Sequence, residues 1–161
     1  MMSPGKLQQE LKKRLPFQSL EQEAILNLAR TNDQVQILFE RLFRGYDELT
    51  PSQYNILRIL RGEGQPMQIL EIAERTITVV PGITGLIDRL ERKGLVRRER
   101  STEDRRVIYV SITDKALEVL ARIDAPLIKL HQDVVGSLAR EELVELVRLL
   151  EKIRDGCAPK L

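Results

Sequence analysis

The chain has 161 residues, of which 42% are hydrophobic and 31% charged, a mixture typical of a water-soluble protein with one buried core. Its 26 Lys and Arg residues nearly balance 24 Asp and Glu residues, and the net charge of +2 excludes a uniformly basic or an acidic disordered protein. A single cysteine excludes a disulfide framework, and neither a signal peptide nor a membrane span is predicted, so we expect a cytoplasmic protein without a membrane partner.

A flexible tail and a long helix are predicted at the start of the chain. Residues 1–16 are expected to be the tail, because their apolar face is weak and Pro16 ends it. The helix should begin after Ser19, since Ser19 and Gln22 have the spacing of a capping box, in which side chains satisfy free amides of the first turn. Its apolar residues then repeat with a helical period to about Tyr46.

A second helix is expected directly afterwards. Thr50 is predicted as its N-cap, with Pro51 at the first helical position and Gln53 at the third. The helix should cover about residues 51–61, and the glycine-rich segment 62–64 should close it.

Two further helices should follow, a short one over about 68–75 and a longer one from about Val80 to Lys93, which Gly94 ends. In the longer helix, four apolar residues recur at helical spacing and should face a core: Ile83, Leu86, Ile87 and Leu90. The opposite face carries Gly82, Gly85, Arg89 and Arg92. Because a helical glycine costs about 1 kcal/mol relative to alanine, these glycines suggest close approach of another backbone. The alternative is a solvent face with no special role.

After Gly94 the apolar period changes from helical to alternating, which predicts an antiparallel hairpin. Its strands should cover Leu95–Arg100 and Val107–Ile112, joined by a polar turn. Positive charge is concentrated here, because residues 89–106 contain eight basic residues against four acidic ones, and seven of the eight are arginines. Arginine suits phosphates and base edges because its planar guanidinium donates as a fork. A solvated charged hairpin explains the composition equally well.

Two long helices are expected to complete the chain. Thr113 should cap the first, which is apolar on most faces and which Pro126 should kink or divide. The last helix follows a break at Gly136 and Ser137. Its apolar residues are three and four apart, the spacing of a helix-to-helix seam: Leu143, Leu146, Leu150 and Ile153.

No catalytic, metal or cofactor site is predicted. The sequence lacks the coupled carboxylates, activated nucleophiles and phosphate loops that mark enzymes. It also has no cluster of His, Cys and carboxylate residues at metal-ligand spacing. His131 is interpreted as a packed residue and Cys157 as an incidental exposed thiol. We therefore expect a binding protein rather than an enzyme.

Two short helices followed by a charged hairpin form the plan of a winged helix-turn-helix, so the expected fold is mainly α with a small β-hairpin. In this geometry the second helix enters the major groove of double-stranded DNA, and the hairpin, or wing, lies beside the duplex. An arginine at the wing tip can reach a narrow, electronegative minor groove. The segment Asp104-Arg105-Arg106 supplies such an arginine.

The segments LTPSQYNILRIL, IAER and PGITGLIDRLERKGLVRRERSTEDRRVIYVSITDKA resemble the MarR family of bacterial and archaeal transcriptional regulators, over roughly residues 35–155. The resemblance is most specific in the wing, where Asp104, Arg106 and Thr113 coincide with the family's D-x-R and downstream Thr positions. It implies a homodimer that binds a pseudo-palindromic operator. Such regulators are usually repressors relieved by a small ligand, often an aromatic acid or a phenol.

The resemblance also implies a division of the chain, in which residues 1–161 form a single subunit. Residues 17–50 and 114–156 would form a helical dimerisation region. Residues 51–113 would form the winged helix-turn-helix region, with the wing at about 95–112.

Residue by residue, the resemblance implies a DNA-contacting surface in two parts. The second helix of the motif contributes five positions that face bases and phosphates: Pro81, Gly82, Thr84, Gly85 and Arg89. In the wing, Asp104 orients the minor-groove arginine, Arg106. Two further arginines contact phosphates: Arg98 and Arg105.

The family's ligand crevice would lie beside four aromatic residues at the junction of the first and second long helices: Phe39, Phe43, Tyr46 and Tyr54. A small aromatic or phenolic effector would bind there. The alternative is that these side chains are simply core.

The sequence departs from the family pattern in ways that bear on specificity. Residues 76–79 read T-I-T-V where the family usually has L-G-V-S, and Ala139 stands where the last helix usually has Ser or Thr as its cap. Because glycines occupy positions 82 and 85, few side chains can read bases directly, so shape and wing contacts should carry much of the specificity. The alternative function is a winged helix for protein–protein assembly without DNA binding, which would expose apolar residues on the second helix and need no arginine-tipped wing.

Overall fold

The computed structural model describes residues 5–78, 81–102, 104 and 107–158. In these residues the elements are α1 (Lys6–Glu10), α2 (Leu20–Arg44), α3 (Pro51–Glu63), β1 (Met67–Gln68), α4 (Ile69–Glu74), α5 (Ile83–Arg92), β2 (Val96–Arg100), β3 (Ile108–Ile112), α6 (Asp114–Val135) and α7 (Arg140–Cys157). The chain forms two compact units, residues 1–117 and 118–161, whose boundary falls inside α6. The predicted fold class, mainly α with a small antiparallel sheet, is confirmed. None of the described helices is long and apolar enough to cross a membrane.

The N-terminal segment contains a short helix, α1, that the sequence does not predict. Leu7 on this helix is buried, with 3% of its surface exposed, whereas Leu11 and Leu15 are exposed. The start of α2 agrees with the prediction, because Ser19 Oγ accepts a hydrogen bond from the Gln22 amide at 3.2 Å.

Both ends of α3 are fixed by residues that the sequence identifies. The Gln53 amide donates to Thr50 Oγ1 at 3.2 Å, and the Thr50 amide donates to Gln53 Oε1 at 3.0 Å, which is a reciprocal capping box. The helix ends at Gly64, whose φ of 69° is a left-handed conformation that favours glycine. Because Gly62 is helical, α3 runs two residues beyond its predicted end.

A three-stranded antiparallel sheet in the order β1-β3-β2 follows. The predicted hairpin is confirmed, since β2 and β3 pair from Val96 opposite Ile112 to Arg100 opposite Ile108. The sequence does not predict β1, because two residues are too few to show an apolar period. This strand pairs with β3 through Met67 opposite Val110 and Gln68 opposite Tyr109.

The core of the helix-turn-helix lies between α3, α4, α5 and the sheet, which contact one another. Its fully buried side chains come from every one of these elements: Ile56, Leu57, Leu60, Met67, Ile72, Ile87, Leu90 and Val110. Burying an aliphatic side chain of this size contributes about 1.5–3 kcal/mol. Ile87 and Leu90 therefore hold one face of α5 against the core and leave its opposite face open.

The start of α5 differs from the prediction. The helix begins at Ile83, whereas the sequence predicts a start near Val80, which lies outside the described residues. Gly82 is the N-cap and has a φ of 72°, a left-handed conformation that a residue inside an α-helix does not adopt. Pro81 and Gly82 therefore form a turn before the helix rather than its first residues.

The cap of α6 agrees with the prediction. Thr113 Oγ1 accepts a hydrogen bond from the Ala116 amide at 3.3 Å and donates to the Gly94 carbonyl at 2.8 Å. The helix continues through Pro126, so the proline does not divide it. Proline lacks one amide and removes one backbone hydrogen bond, and the remaining turns on both sides keep the helix continuous.

The start of α7 lacks a side-chain cap. The Ala139 amide donates to Glu142 Oε2 at 2.8 Å, but alanine has no side-chain oxygen to accept from the first turn of the helix. Half of a capping box is therefore present.

Candidate nucleic-acid interface

The open face of α5 is built from small and polar residues. Pro81 and Gly82 in the preceding turn are exposed, as are Thr84 and Arg89 on the helix, and Gly85 is half-buried. A Cβ atom added at either glycine would meet no other described atom within 4 Å. The positive φ explains the glycine at position 82, but neither packing nor backbone conformation within the described chain requires one at position 85.

Arg98 connects the hairpin to α5. Its Nη1 donates to the carboxylate of Asp88 and, at 3.2 Å, to Glu91 Oε2. Its Nη2 donates to the Thr84 carbonyl at 3.2 Å, and its backbone amide donates to Glu91 Oε1, also at 3.2 Å. One residue of β2 therefore holds two carboxylates and one carbonyl of α5.

These contacts occupy the guanidinium for which the resemblance implies a phosphate contact, and that contact with DNA stays a prediction. The side chain is only 20% exposed, and its Nε is buried without a hydrogen-bond partner among the described residues. The strand register is the cause, because Arg98 lies on the same face of β2 as the buried Val96 and opposite the buried Val110. Sequence reasoning missed Asp88 and Glu91 as its partners, although the alternation from Val96 indicates an inward side chain.

The tip of the hairpin lies only partly within the described residues. Asp104 is exposed, and its amide donates to Ser101 Oγ at 3.3 Å. Its carbonyl accepts from the Val107 amide at 2.9 Å, which closes the turn. Arg105 and Arg106 lie outside the described residues, so the orientation of Arg106 by Asp104 stays a prediction.

An ion pair connects the two helices that precede α5. Arg75, which caps the C-terminus of α4, donates from Nη1 to the carboxylate of Glu63 at the end of α3. The hydrogen bond that Arg75 donates to Glu63, together with the negative charge of Glu63, raises the pKa of Arg75. The pair therefore supports the packing of α4 beside α3 from the solvent side.

The four aromatic residues near the end of α2 form part of a stacked cluster. Phe43 and Tyr54 are buried, and their ring centroids lie 4.3 Å apart at an interplanar angle of 14°. Phe39 stacks on Phe43 at 6.0 Å. Tyr46 is half-buried, and its amide donates to the Phe43 carbonyl at 2.9 Å. Stacking of this kind is typical of a core.

A cavity of about 360 Å³ opens at the same end of α2. Its lining is made of other residues: Glu40, Arg44, Glu48, Leu49, Thr50 and Pro51. None of the four aromatic residues is among them. The volume lies in the range of small-molecule sites, and Arg44 supplies a positive charge to a set that also contains two carboxylates.

Within the part of the chain that the structure describes, no group of three or more His, Cys, Asp and Glu side chains could hold a metal ion. Cys157 is an exposed free thiol at the end of α7.

The helices α3, α4 and α5, together with the hairpin, define a winged helix-turn-helix protein. Residues 49–108 match the sequence model of the MarR family. The chain is 31% identical over 104 residues to the homoprotocatechuate degradative operon repressor of Escherichia coli. This match covers 65% of this chain and 70% of that relative. The chain belongs to the MarR family, as its sequence predicts. It is therefore a transcriptional regulator and not an enzyme.

Solved structures agree with this assignment. A MarR transcription factor from Planctomyces limnophilus is 45% identical, with a TM-score of 0.66, over 84% of this chain and 98% of that chain. The PcaV transcriptional regulator from Streptomyces coelicolor, solved in complex with its natural ligand, is 26% identical, with a TM-score of 0.68, over 80% of this chain and 89% of that one.

Proposed function

We propose that the protein is a homodimeric, cytoplasmic repressor that binds a pseudo-palindromic operator in double-stranded DNA. In this function α5 lies in the major groove with Gly82, Thr84, Gly85 and Arg89 toward the duplex, and the wing carries Arg106 to the minor groove. The single observation that carries the proposal is the face of α5. It is open, it lacks large apolar side chains, and it holds a helical glycine that nothing in the described chain requires.

The charge distribution supports a phosphate partner for this face. Residues 89–106 have four more basic than acidic residues, whereas the net charge of the whole chain is +2, and this segment includes the end of α5 and most of the hairpin. Basic residues attract phosphate irrespective of sequence and guide association. A winged helix used for protein–protein assembly would instead place apolar side chains on the open face of α5, where Thr84 and Arg89 are exposed.

The helices outside residues 51–113 support a second copy as the partner. Among the described residues of α7 none is buried, and the helix exposes a set of large apolar side chains: Val144, Leu146, Val147, Leu149 and Ile153. The first half of α2 also exposes apolar residues: Leu20, Ile25, Leu26 and Leu28. Apolar surfaces of this kind mark interaction sites, and the three-four spacing in α7 suits packing against another helix.

We also infer that a small organic molecule relieves repression. The Escherichia coli relative is a repressor of a homoprotocatechuate degradative operon by name, and the Streptomyces coelicolor regulator was solved with its natural ligand. The cavity at the end of α2 is large enough for one aromatic ring with an acidic substituent, which Arg44 could pair with. The four aromatic residues beside it would then support the cavity rather than line it.

The proposed function is tested by selecting duplexes from a randomised DNA library with the purified wild-type protein. We expect enrichment of a pseudo-palindrome whose half-sites lie about 10 base pairs apart or at a multiple of that distance. Fluorescence anisotropy at fixed salt then measures affinity for the selected duplex and for a scrambled duplex of equal length. No enrichment, or equal affinity for both duplexes, would overturn the proposal.

A further inference from the structure

The turn between α2 and α3 has an unusual backbone conformation. Asp47 has a φ of 49° and Glu48 a φ of 51°, so two consecutive residues with side chains adopt the left-handed conformation. This conformation favours glycine, because a Cβ atom crowds the following carbonyl group. Such a turn persists only where surrounding contacts hold it in place.

Lys93 supplies those contacts. Its ammonium donates to the carbonyl of Asp47 and, at 3.1 Å, to the carbonyl of Glu48. Lys93 is also the C-cap of α5, so the contact connects the strained turn with the end of the helix that carries the open face. The segments are 45 residues apart in sequence.

Lys115 closes the connection from the start of α6. Its ammonium donates to the Lys93 carbonyl at 2.8 Å and lies 4.0 Å from the carboxylate of Asp47. The turn, the end of α5 and the start of α6 therefore meet through two lysines. Lys93 belongs to the basic segment 89–106, but its ammonium already contacts two carbonyl acceptors within the chain, which favours a structural role over a phosphate contact.

We propose that Lys93 is a positioning residue for DNA binding, which fixes the C-terminal end of α5 on the α2–α3 turn. This inference depends on the proposed DNA-binding function. The N-terminal end of α5 follows the left-handed Gly82 and has no side-chain cap. Arg98 holds this end through the Thr84 carbonyl, and Lys93 adds the anchor at the opposite end. A helix of 10 residues is about 15 Å long, and a tilt of about 10° moves its far end by about 2.6 Å. A displacement of that size separates hydrogen-bonded groups from DNA.

The test uses Lys93→Met, which keeps the side-chain length and removes the ammonium. We expect the variant to fold and to bind the selected duplex about tenfold more weakly than wild type. We also expect an unchanged slope of log affinity against log salt, because no phosphate contact is lost. Arg89→Met is the matched control, since a phosphate contact at Arg89 would reduce that slope by about one. A reduced slope for Lys93→Met would show that Lys93 contacts DNA and would overturn the inference.

A second variant separates positioning of α5 from simple support of the turn. Glu48→Gly in the Lys93→Met background removes one left-handed side-chain residue and should restore thermal stability. If Lys93 positions α5, DNA binding stays about tenfold weaker than wild type. Recovery of full affinity would show that Lys93 only stabilises the turn, which contradicts the inference.

Hydrogen exchange gives a readout that does not depend on DNA. In Lys93→Met we expect faster amide exchange at residues 89–94, which cover the end of α5, its C-cap and the following Gly94, and unchanged exchange in α3. Unchanged exchange at the end of α5 would refute the anchoring role even if the protein bound no DNA. Failure of the wild type to select any duplex would instead refute the proposed function.

Discussion

The helix-turn-helix region and the last helix differ in the burial of their apolar side chains. From α3 to β3, apolar side chains of every element are buried within one chain, including Ile56, Ile72, Ile87 and Val110. In α7 no described residue is buried, although leucine and valine recur along the helix. The first region therefore buries its apolar side chains within one chain, and the exposed apolar side chains of α7 are the surface that we propose to pack against a second copy.

The two regions also differ in how polar side chains are used. In the helix-turn-helix region, arginine and lysine side chains connect separate elements: Arg75 to α3, Arg98 to α5 and Lys93 to the α2–α3 turn. In α7 the ion pair is local, between Arg148 and Glu145 three residues apart. Glu145 has a lowered pKa because Arg148 donates a hydrogen bond to it. These contacts thus connect separate elements in the helix-turn-helix region, whereas the pair in α7 joins neighbouring turns of one exposed helix.

The largest effect is expected from replacing two leucines of α7. Leu146→Glu with Leu150→Glu places two charges in the proposed helix-to-helix seam, and burying unpaired charges is strongly unfavourable. We expect the dimer to dissociate and affinity for the selected duplex to fall by more than about 100-fold, since each subunit would hold one half-site alone.

Analytical ultracentrifugation measures this change directly. Lys152→Glu is the matched control, because it shifts the net charge by the same amount on an exposed position of α7 outside the predicted seam. A double variant that sediments as a dimer would show that α7 does not form the interface.

The second largest loss of DNA affinity is expected from a substitution in the wing. Arg106→Ala should weaken binding to the selected duplex by about 1–3 kcal/mol and leave the dimer intact, because one minor-groove contact is lost. Arg97→Ala is the control, since Arg97 is an exposed residue of β2 paired with Glu99. Equal affinities of both variants and wild type in anisotropy titrations at fixed salt would rule out the wing contact.

The direction in which Asp88→Asn changes the affinity for DNA decides the role of Arg98. If Arg98 connects β2 to α5, Asp88→Asn removes a partner and should weaken DNA binding about threefold, and Arg98→Gln should weaken it further. If Arg98 contacts phosphate instead, Asp88→Asn removes a negative charge and frees the guanidinium, so binding should tighten.

We expect weaker binding for both variants in anisotropy titrations, without a change in the salt slope for Arg98→Gln. The effects stay moderate because Asp88 is half exposed and solvent screens the pair.

The smallest effect is expected at Gly85, where stability and binding should move in opposite directions. Gly85→Ala should stabilise the fold by about 0.5–1 kcal/mol, because alanine favours a helix and its Cβ meets no described atom within 4 Å. Binding to the selected duplex should weaken if DNA approaches this backbone closely.

Gly62→Ala in α3 is the matched control, since its Cβ also meets open space. Chemical denaturation should show both variants stabilised, and only Gly85→Ala should bind DNA less tightly. Unchanged binding by Gly85→Ala would remove the argument for close approach at this glycine.

Local signals in the sequence predict most of the elements but not the tertiary use of side chains. Capping at Ser19, Thr50 and Thr113 and the alternating period after Gly94 predict where helices and the hairpin lie, since each depends on residues close in sequence. The sequence does not predict β1, because its two residues form a strand only through pairing with β3.

The start of α5 and the partners of Arg98 within the chain do not follow from the sequence, for related reasons. The helical period extends back through Gly82, and only the positive φ of that residue shows that the helix begins after it. The charge of Arg98 suggests a phosphate contact, but the register of β2 turns the side chain toward Asp88 and Glu91. The family resemblance predicts which surface contacts DNA, and the structure shows which side chains of that surface already have partners within the chain.

Glu48 takes part in two structures at once. Glu48 lines the cavity at the end of α2, and its carbonyl accepts a hydrogen bond from Lys93, the C-cap of α5. If a molecule in the cavity shifts Glu48 and changes the affinity of α5 for DNA by some factor, DNA must change the affinity of the cavity by the same factor. Measuring ligand binding with and without the duplex would then report the same coupling free energy as measuring DNA binding with and without the ligand.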